Sequence, residues 1–190
     1  MIRFFLYFPF YPPLFLLILC MCTEEKRKHH MDHKATLCCR YNPFKSYFFQ
    51  VAYYIANLPE YRSVLYLRLG VLGKIIGIIL PAERQLYIRC KSKNIEGGLV
   101  INHGHSTRIN ADHIGKNCHI FQNVTIGTRG SNKHCTIGDN VIIGTGAVVL
   151  GNIKIGNNVK IGANATVVKS IPDNSTVVPA SPRIIENNKI

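Results

Sequence analysis

Aliphatic side chains recur every six residues through the second half of the chain. Ile114, Ile120 and Ile126 lie six apart, and Ile137, Ile143, Val149, Ile155, Ile161 and Val167 repeat the interval. The fifth residue of each hexad is small or β-branched, as at Cys118, Val124, Val141, Ala147, Ile153, Val159 and Ala165. The second is often glycine, at positions 115, 127, 138, 144, 156 and 162. Repetition of this kind marks a solenoid. Each hexad supplies a short strand and a turn; its aliphatic residue points inward and stacks on counterparts in the coils above and below. Gly and Asn accept the backbone angles needed at the corners. Three hexads close a triangular coil of 18 residues, so the nine hexads make three coils, and residues 95–113 form one more irregular coil. So short and regular a repeat predicts a mainly β protein, a left-handed parallel β-helix of about four coils, because right-handed β-helices carry longer and less regular repeats. Such a solenoid is stabilised by stacking between neighbours and needs caps at its ends.

Upstream the pattern changes. Residues 44–80 read as helical: Pro59–Gly70 opens with proline at a helix start and closes with glycine. Val64, Leu65, Leu67 and Leu69 give it an apolar bias, and Val71–Leu80 continues almost without charge until Pro81. This segment reads as a helical cap on the solenoid, with a membrane-surface patch as the second reading. Residues 4–22 form a 19-residue apolar run that contains Pro9, Pro12 and Pro13. Length alone allows a membrane span, but three prolines oppose a regular helix. A signal peptide is a further reading, and an extension upstream of a true start at Met31 is the one preferred. The chain thus divides into an apolar and basic extension (1–30), a short helical region (31–94), the β-helix (95–171) and a C-terminal cap and tail (172–190).

Composition narrows the class. Hydrophobic residues make up 47% and charged ones 17%, which argues against disorder. The net charge is +13, and residues 1–94 contribute a surplus of +9 against +4 from the rest. A basic first half suits an anionic membrane surface or a phosphorylated ligand; no helix-turn-helix, zinc-finger or RNA-binding signature accompanies it, so nucleic acid is not expected. The seven cysteines (20, 22, 38, 39, 90, 118 and 135) form no even framework and no paired CxxC units. Free thiols in a reducing, cytoplasmic setting follow, with Cys118 in a packing role.

The hexad phase breaks once. Ile126 and Ile137 are eleven residues apart, so residues 128–136 (TRGSNKHCT) bulge from a corner, and this loop carries His134. A second irregularity, Val100–Arg108 (VINHGHSTR), carries His103 and His105. Breaks in a regular scaffold are where loops take on function. His113 and His119 read as solvated surface residues, and His105 as structural or peripheral.

GGLVINHGHSTRI, IGKNCHIFQNVTIG, KHCTIGDN and the run VIIGTGAVVLGNIKIGNNVKIGANATVVKSIP resemble serine acetyltransferases, members of the hexapeptide-repeat acyltransferases. They resemble still more the short relatives found in surface-polysaccharide gene clusters. The resemblance covers roughly residues 86–187, is weaker across 44–80 and is absent from 1–30. It implies an O-acetyltransferase that moves acetyl from acetyl-CoA to a hydroxyl, of L-serine in cysteine biosynthesis or of a sugar. It implies His103 as general base on the acceptor hydroxyl, a task that suits a side chain titrating near pH 6.5. It implies His134 as a second histidine of the acceptor pocket, and Gly127, Thr145, Lys160 and Ala163 as contacts of the coenzyme. A homotrimer with the site between subunits follows from the same resemblance, as does docking of the terminal Ile190 into cysteine synthase. No metal is expected.

The chain also departs from that pattern. Asn102 stands where serine acetyltransferases carry an aspartate that helps bind the amino acid. The region LYIRCKSK holds no acid to orient the first histidine, the nearest upstream being Glu83. Two other classes therefore stay open: a zinc enzyme like the γ-class carbonic anhydrases, and a non-catalytic β-helix scaffold.

Overall fold

The structure is a computed structural model that describes residues 18, 23–130 and 133–180. Among the described residues four helices of a turn or more come first: α1 Thr23–Cys39, α2 Tyr47–Asn57, α3 Pro59–Leu69 and α4 Val71–Ile79. The expected helical segment is present and is cut into three. Leu58 and Gly70 make the cuts; Pro59 occupies the first turn of α3, and Gly70 takes φ 63°, a left-handed angle that glycine adopts freely. α1 lies ahead of the expected segment. Its mean polarity is high and it lacks an amphipathic period, so no helical signal stands out in its residues.

From Leu86 onward the chain is a parallel β-solenoid. Its strands are β1 Leu86–Ile88, β2 Val100–Ile101, β3 Thr107–Ile109, β4 Ala111–Ile114, β5 His119–Ile120, β6 Thr125–Gly127 and β7 Cys135–Ile137. They continue as β8 Ile142–Ile143, β9 Val148–Leu150, β10 Lys154–Ile155, β11 Lys160–Ile161, β12 Thr166–Val167 and β13 Thr176–Val177. Three faces result. The first stacks β1, β3, β6, β9 and β12; the second stacks β4, β7 and β10; the third stacks β2, β5, β8, β11 and β13. Isolated bridges from Ile95 to Ile114 and from Ile155 to Ile171 extend the second face by one position at each end. The solenoid therefore makes about five turns. The additional turn begins at β1, whose residues share no six-residue phase with the repeats yet pair in register with β3.

Every hexad aliphatic named above is buried, from Ile114 at 0% to Val167 at 4% exposed, and they form one continuous column with the small fifth residues. The corner between the second and third faces shows why Asn and Gly recur. Asn117, Asn140, Asn158 and Asn174 all adopt φ between 54° and 57°. Their side-chain amides donate upward in sequence, Asn117 to Asn140 (3.2 Å), Asn140 to Asn158 (3.0 Å) and Asn158 to Asn174 (2.9 Å). Asparagine tolerates the left-handed region and supplies the ladder at once. Beside it, the glycine at 138 leaves space that a Cβ would lose to Asn157 and the Gly156 backbone.

The helices close the open edge of the first coil. Arg68 on α3 donates Nε to Asp32 Oδ2 (3.0 Å), and its other nitrogens reach the carbonyls of Ile95 (2.7 Å) and Glu96 (2.7 Å). Asp32 Oδ1 in turn accepts from the amides of Gly98 (2.7 Å) and Leu99 (2.8 Å). An edge of unpaired backbone groups invites foreign strands; here a buried ion pair from two helices satisfies it. A second core, of Val51, Ala52, Tyr54, Ile55, Tyr61 and Leu65 among others, holds the helices together.

Candidate active site

The third-to-first corner begins at His103. β2 ends at Ile101, the Asn102 amide donates to the Ile120 carbonyl (2.8 Å), and the chain then turns sharply. His103 sits in the turn with φ 54°, an angle uncommon outside glycine for which histidine is one of the enriched residues. Its side chain is exposed, while Asn102 beside it is buried. His105 lies 3.5 Å from Glu83 through Nδ1. Glu83, the nearest upstream acid, thus serves His105 and not His103, which fits a structural part for His105.

His134 stands at the first-to-second corner, at the end of the loop that interrupts the hexads. Asp112 accepts from its ring at Nδ1 (3.1 Å) and from its backbone amide (3.2 Å). β4 is bulged here: Ala111 pairs with Cys135 and His113 with Thr136, so Asp112 is the extra residue left without a strand partner. A bulge re-aims a side chain, and this one delivers a carboxylate to the histidine. With Nδ1 engaged by the carboxylate, Nε2 is the ring nitrogen that can act on a substrate. Nothing in the sequence marks Asp112 as the partner of His134. An acid two residues before a repeat aliphatic carries no periodic signal of its own.

The candidate coenzyme residues divide. Thr145 and Ala163 share the corner of His103, two and three coils further along, and the Asn164 amide bonds the Thr145 carbonyl (2.8 Å). Lys160 begins β11 on the third face, just before that corner, and is exposed. Gly127 ends β6 at the opposite edge of the first face, next to the loop of His134. The structure therefore brings Thr145, Lys160 and Ala163 into one column with His103, and Gly127 together with His134. Within one chain the two histidines occupy different corners, separated by the first face. A cleft of about 440 Å³ lined by Asn164, Ala165, Thr166, Val177 and Val178 adjoins Ala163.

Other groups fall outside this arrangement. His113 is exposed, as expected. His119 is not simply solvated: it is half-buried, its Nδ1 lies 3.7 Å from Cys39 Sγ on α1, and burial pushes its pKa down. The buried thiols of Cys90, Cys118 and Cys135 are pushed up to about 11, 11 and 12, chiefly by burial. That suits inert packing and not nucleophilic work. Among the described residues no three of His, Cys, Asp and Glu come together as metal ligands. A groove of about 670 Å³ between α3, α4 and β1 contains none of the candidate residues.

Residues 134–169 match the bacterial transferase hexapeptide (six repeats) family. The chain is 46% identical over 96 residues to a serine acetyltransferase of Staphylococcus aureus, covering 48% of this chain and 45% of that protein. It is 45% identical over 78 residues to a serine acetyltransferase of Bacillus pumilus, covering 40% of this chain and 36% of the other. It therefore spans less than half the length of the curated relatives it matches. Among solved structures, Entamoeba histolytica serine acetyltransferase 1 in complex with L-cysteine superposes with a TM-score of 0.65 at 27% identity, over 87% of this chain and 67% of that one. Soybean serine acetyltransferase, at 23% identity and a TM-score of 0.66 over 91% and 74%, shares the fold. In repeat, fold and sequence this chain is thus similar to the serine acetyltransferases, and residues 134–169 of its β-solenoid match the hexapeptide-repeat model.

Proposed function

We propose that the chain is an acetyl-CoA-dependent O-acetyltransferase with L-serine as acceptor, and that His103 and His134 serve it from adjacent subunits of a homotrimer. The observation that carries this reading is His134 held by Asp112 at the break in the hexads, with His103 at the other break. His103 takes the proton of the acceptor hydroxyl, the oxygen attacks the thioester carbonyl, and the tetrahedral intermediate collapses to the O-acetyl ester. The departing sulfur of coenzyme A recovers the proton. His134, steadied by Asp112, orients the acceptor and stabilises the developing negative charge. Thr145, Lys160 and Ala163 lie along the column where the coenzyme would run; the small residues admit the pantetheine, and Lys160 meets a phosphate. Gly127 would join this path from a neighbouring subunit. Placement of the histidines at different corners supports the trimer, because a site containing both then needs a second copy of the chain.

Asn102 favours a second reading. A neutral amide in place of the amino-acid-binding aspartate suits a sugar hydroxyl as acceptor. Cytoplasmic location fits the free thiols Cys38, Cys39, Cys90, Cys118 and Cys135. Docking to cysteine synthase through Ile190 rests on a residue outside those described.

Thiol release from acetyl-CoA, with L-serine or with free sugars, tests the acceptor; stimulation by serine is expected, and stimulation by sugars alone would select the second reading. Each of His103→Ala and His134→Ala should lower kcat roughly 100-fold or more. Refolding the two variants together should then restore about a quarter of wild-type activity, since that share of random interfaces pairs two intact histidines. No restoration would mean that both histidines act within one chain.

A further inference from the structure

α4 is built with its sides reversed for a helix in water. Its small residues face the protein: Gly73 is buried, and a Cβ there would collide with the Tyr66 backbone. A Cβ at Gly77 would touch the Tyr66 ring. Its large aliphatics face out, with Val71 at 73%, Ile78 at 83% and Ile79 at 66% exposed, and Leu72 and Ile75 also exposed. The glycine edge lets α4 lie close on α3, and the outer surface is left almost wholly apolar, with Lys74 as its one charge. A contiguous apolar surface of this kind marks an interaction site. It is continuous with the groove between α4 and β1, which Ile78 and Lys74 line together with Leu86 and Arg84.

Charge identifies the occupant. Of the nine Lys or Arg among residues 40–94, Lys74 and Arg84 are exposed and line the groove that adjoins the patch, where Glu83 is the one acid. A second copy of a chain with net charge +13 would bring like charges together at this face. A bilayer with anionic headgroups offers the opposite sign beside an apolar interior. At nine residues α4 is about 13 Å long, well short of the roughly 30 Å hydrocarbon core. Among the described residues no helix is long and apolar enough to cross a membrane. A short helix with an apolar outer face and basic neighbours lies in the plane of the interface. We propose that α4 is a membrane-docking helix that seats its outer face, Val71, Leu72, Ile75, Ile78 and Ile79, in the surface of an anionic bilayer. This goes beyond the acyl transfer proposed above and does not depend on it.

The chain contains no tryptophan, so Ile78→Trp places a unique fluorophore at the centre of the patch in the full chain. With vesicles of phosphatidylglycerol and phosphatidylcholine its emission should shift to the blue and be quenched by acyl-brominated lipid. Vesicles of phosphatidylcholine alone should bind roughly tenfold more weakly or less. Adding Ile75→Glu should abolish the shift, while far-ultraviolet circular dichroism stays unchanged. Val71→Trp, also at an exposed position, repeats the measurement independently of Ile78. Emission unmoved by either vesicle overturns the proposal, as does a shift that survives Ile75→Glu. Equal response to neutral vesicles overturns the part played by charge. A blue shift that grows with protein concentration without lipid would assign the face to a second copy and overturn it as well.

Discussion

Two polar contacts on His134 meet on one carboxylate: the ring donates from Nδ1 and the backbone amide donates to the other oxygen of Asp112. An asparagine in its place could keep one acceptor but would lose the second and the charge. Asp112→Asn should therefore lower kcat roughly 10- to 100-fold with little change in the KM for acetyl-CoA. An unaltered kcat would reduce Asp112 to a fastening of the loop. A second histidine, His29, acts on stability. Its Nε2 lies 3.1 Å from the buried Tyr61 hydroxyl. Burial first, then the charges of His33, Arg68 and His30, lower its pKa to about 3. In the unfolded chain it titrates near 6.5, so its contribution is intact above that pH and is lost as pH falls from 6.5 towards 3. His33 is shifted in the same direction, mainly by burial. Unfolding in urea should show a loss on the order of 3 kcal/mol between pH 7 and 4.5, and His29→Gln should flatten that slope. The sequence pointed to His103 and His134 because both break a period. Nothing in it marked Asp112 or His29, whose surroundings are made by residues distant in the chain.

Between residue and whole chain stands the corner. At the second-to-third corner Asn158 carries φ 55°, donates to Asn174 and accepts from Asn140. Alanine would lose both bonds and resist the left-handed angle; glycine would lose the bonds alone. Asn158→Ala should cost roughly 2–3 kcal/mol and Asn158→Gly nearer 1–2 kcal/mol, measured as the shift in urea midpoint at constant slope. Equal costs would show that backbone angle contributes nothing there. The hexads were legible because one inward aliphatic every six residues is a local rule applied again and again. β1 was not: Ile88 meets Ile109 after 21 residues, outside any multiple of six. α1 was hidden for a related reason, since its inner face is Lys28, His29, Asp32, His33 and Thr36, polar residues that read as solvent-facing.

For the molecule as a whole, the joint that matters is the one between helices and solenoid, where Asp32 and Arg68 are 2% and 0% exposed. Asp32→Ala leaves the buried Arg68 charge with only the longer contact to Glu25 (3.8 Å) and frees two edge amides, a change that costs about 3–5 kcal/mol. Solenoid coils are stabilised by their nearest neighbours. Hydrogen exchange should accordingly speed up at Gly98 and Leu99 while the amides of Ile142 and Val148, in later coils, stay protected; uniform loss of protection would instead mean one cooperative unit. The fold class was open to sequence reading because its core is a repeated local contact, whereas this joint depends on one aspartate in a polar helix. The coil containing the loop of His134 has a consequence of its own. Ile120 and Ile143 pair across a step of 23 residues, and Ile143 and Ile161 across one of 18, yet both pairs keep the same register. The added length is absorbed entirely outside the stack. Descendants of this chain are free to lengthen, shorten or rewrite the segment before His134 without moving a single core aliphatic. The loop's length and sequence can then vary quickly on a framework that hardly changes.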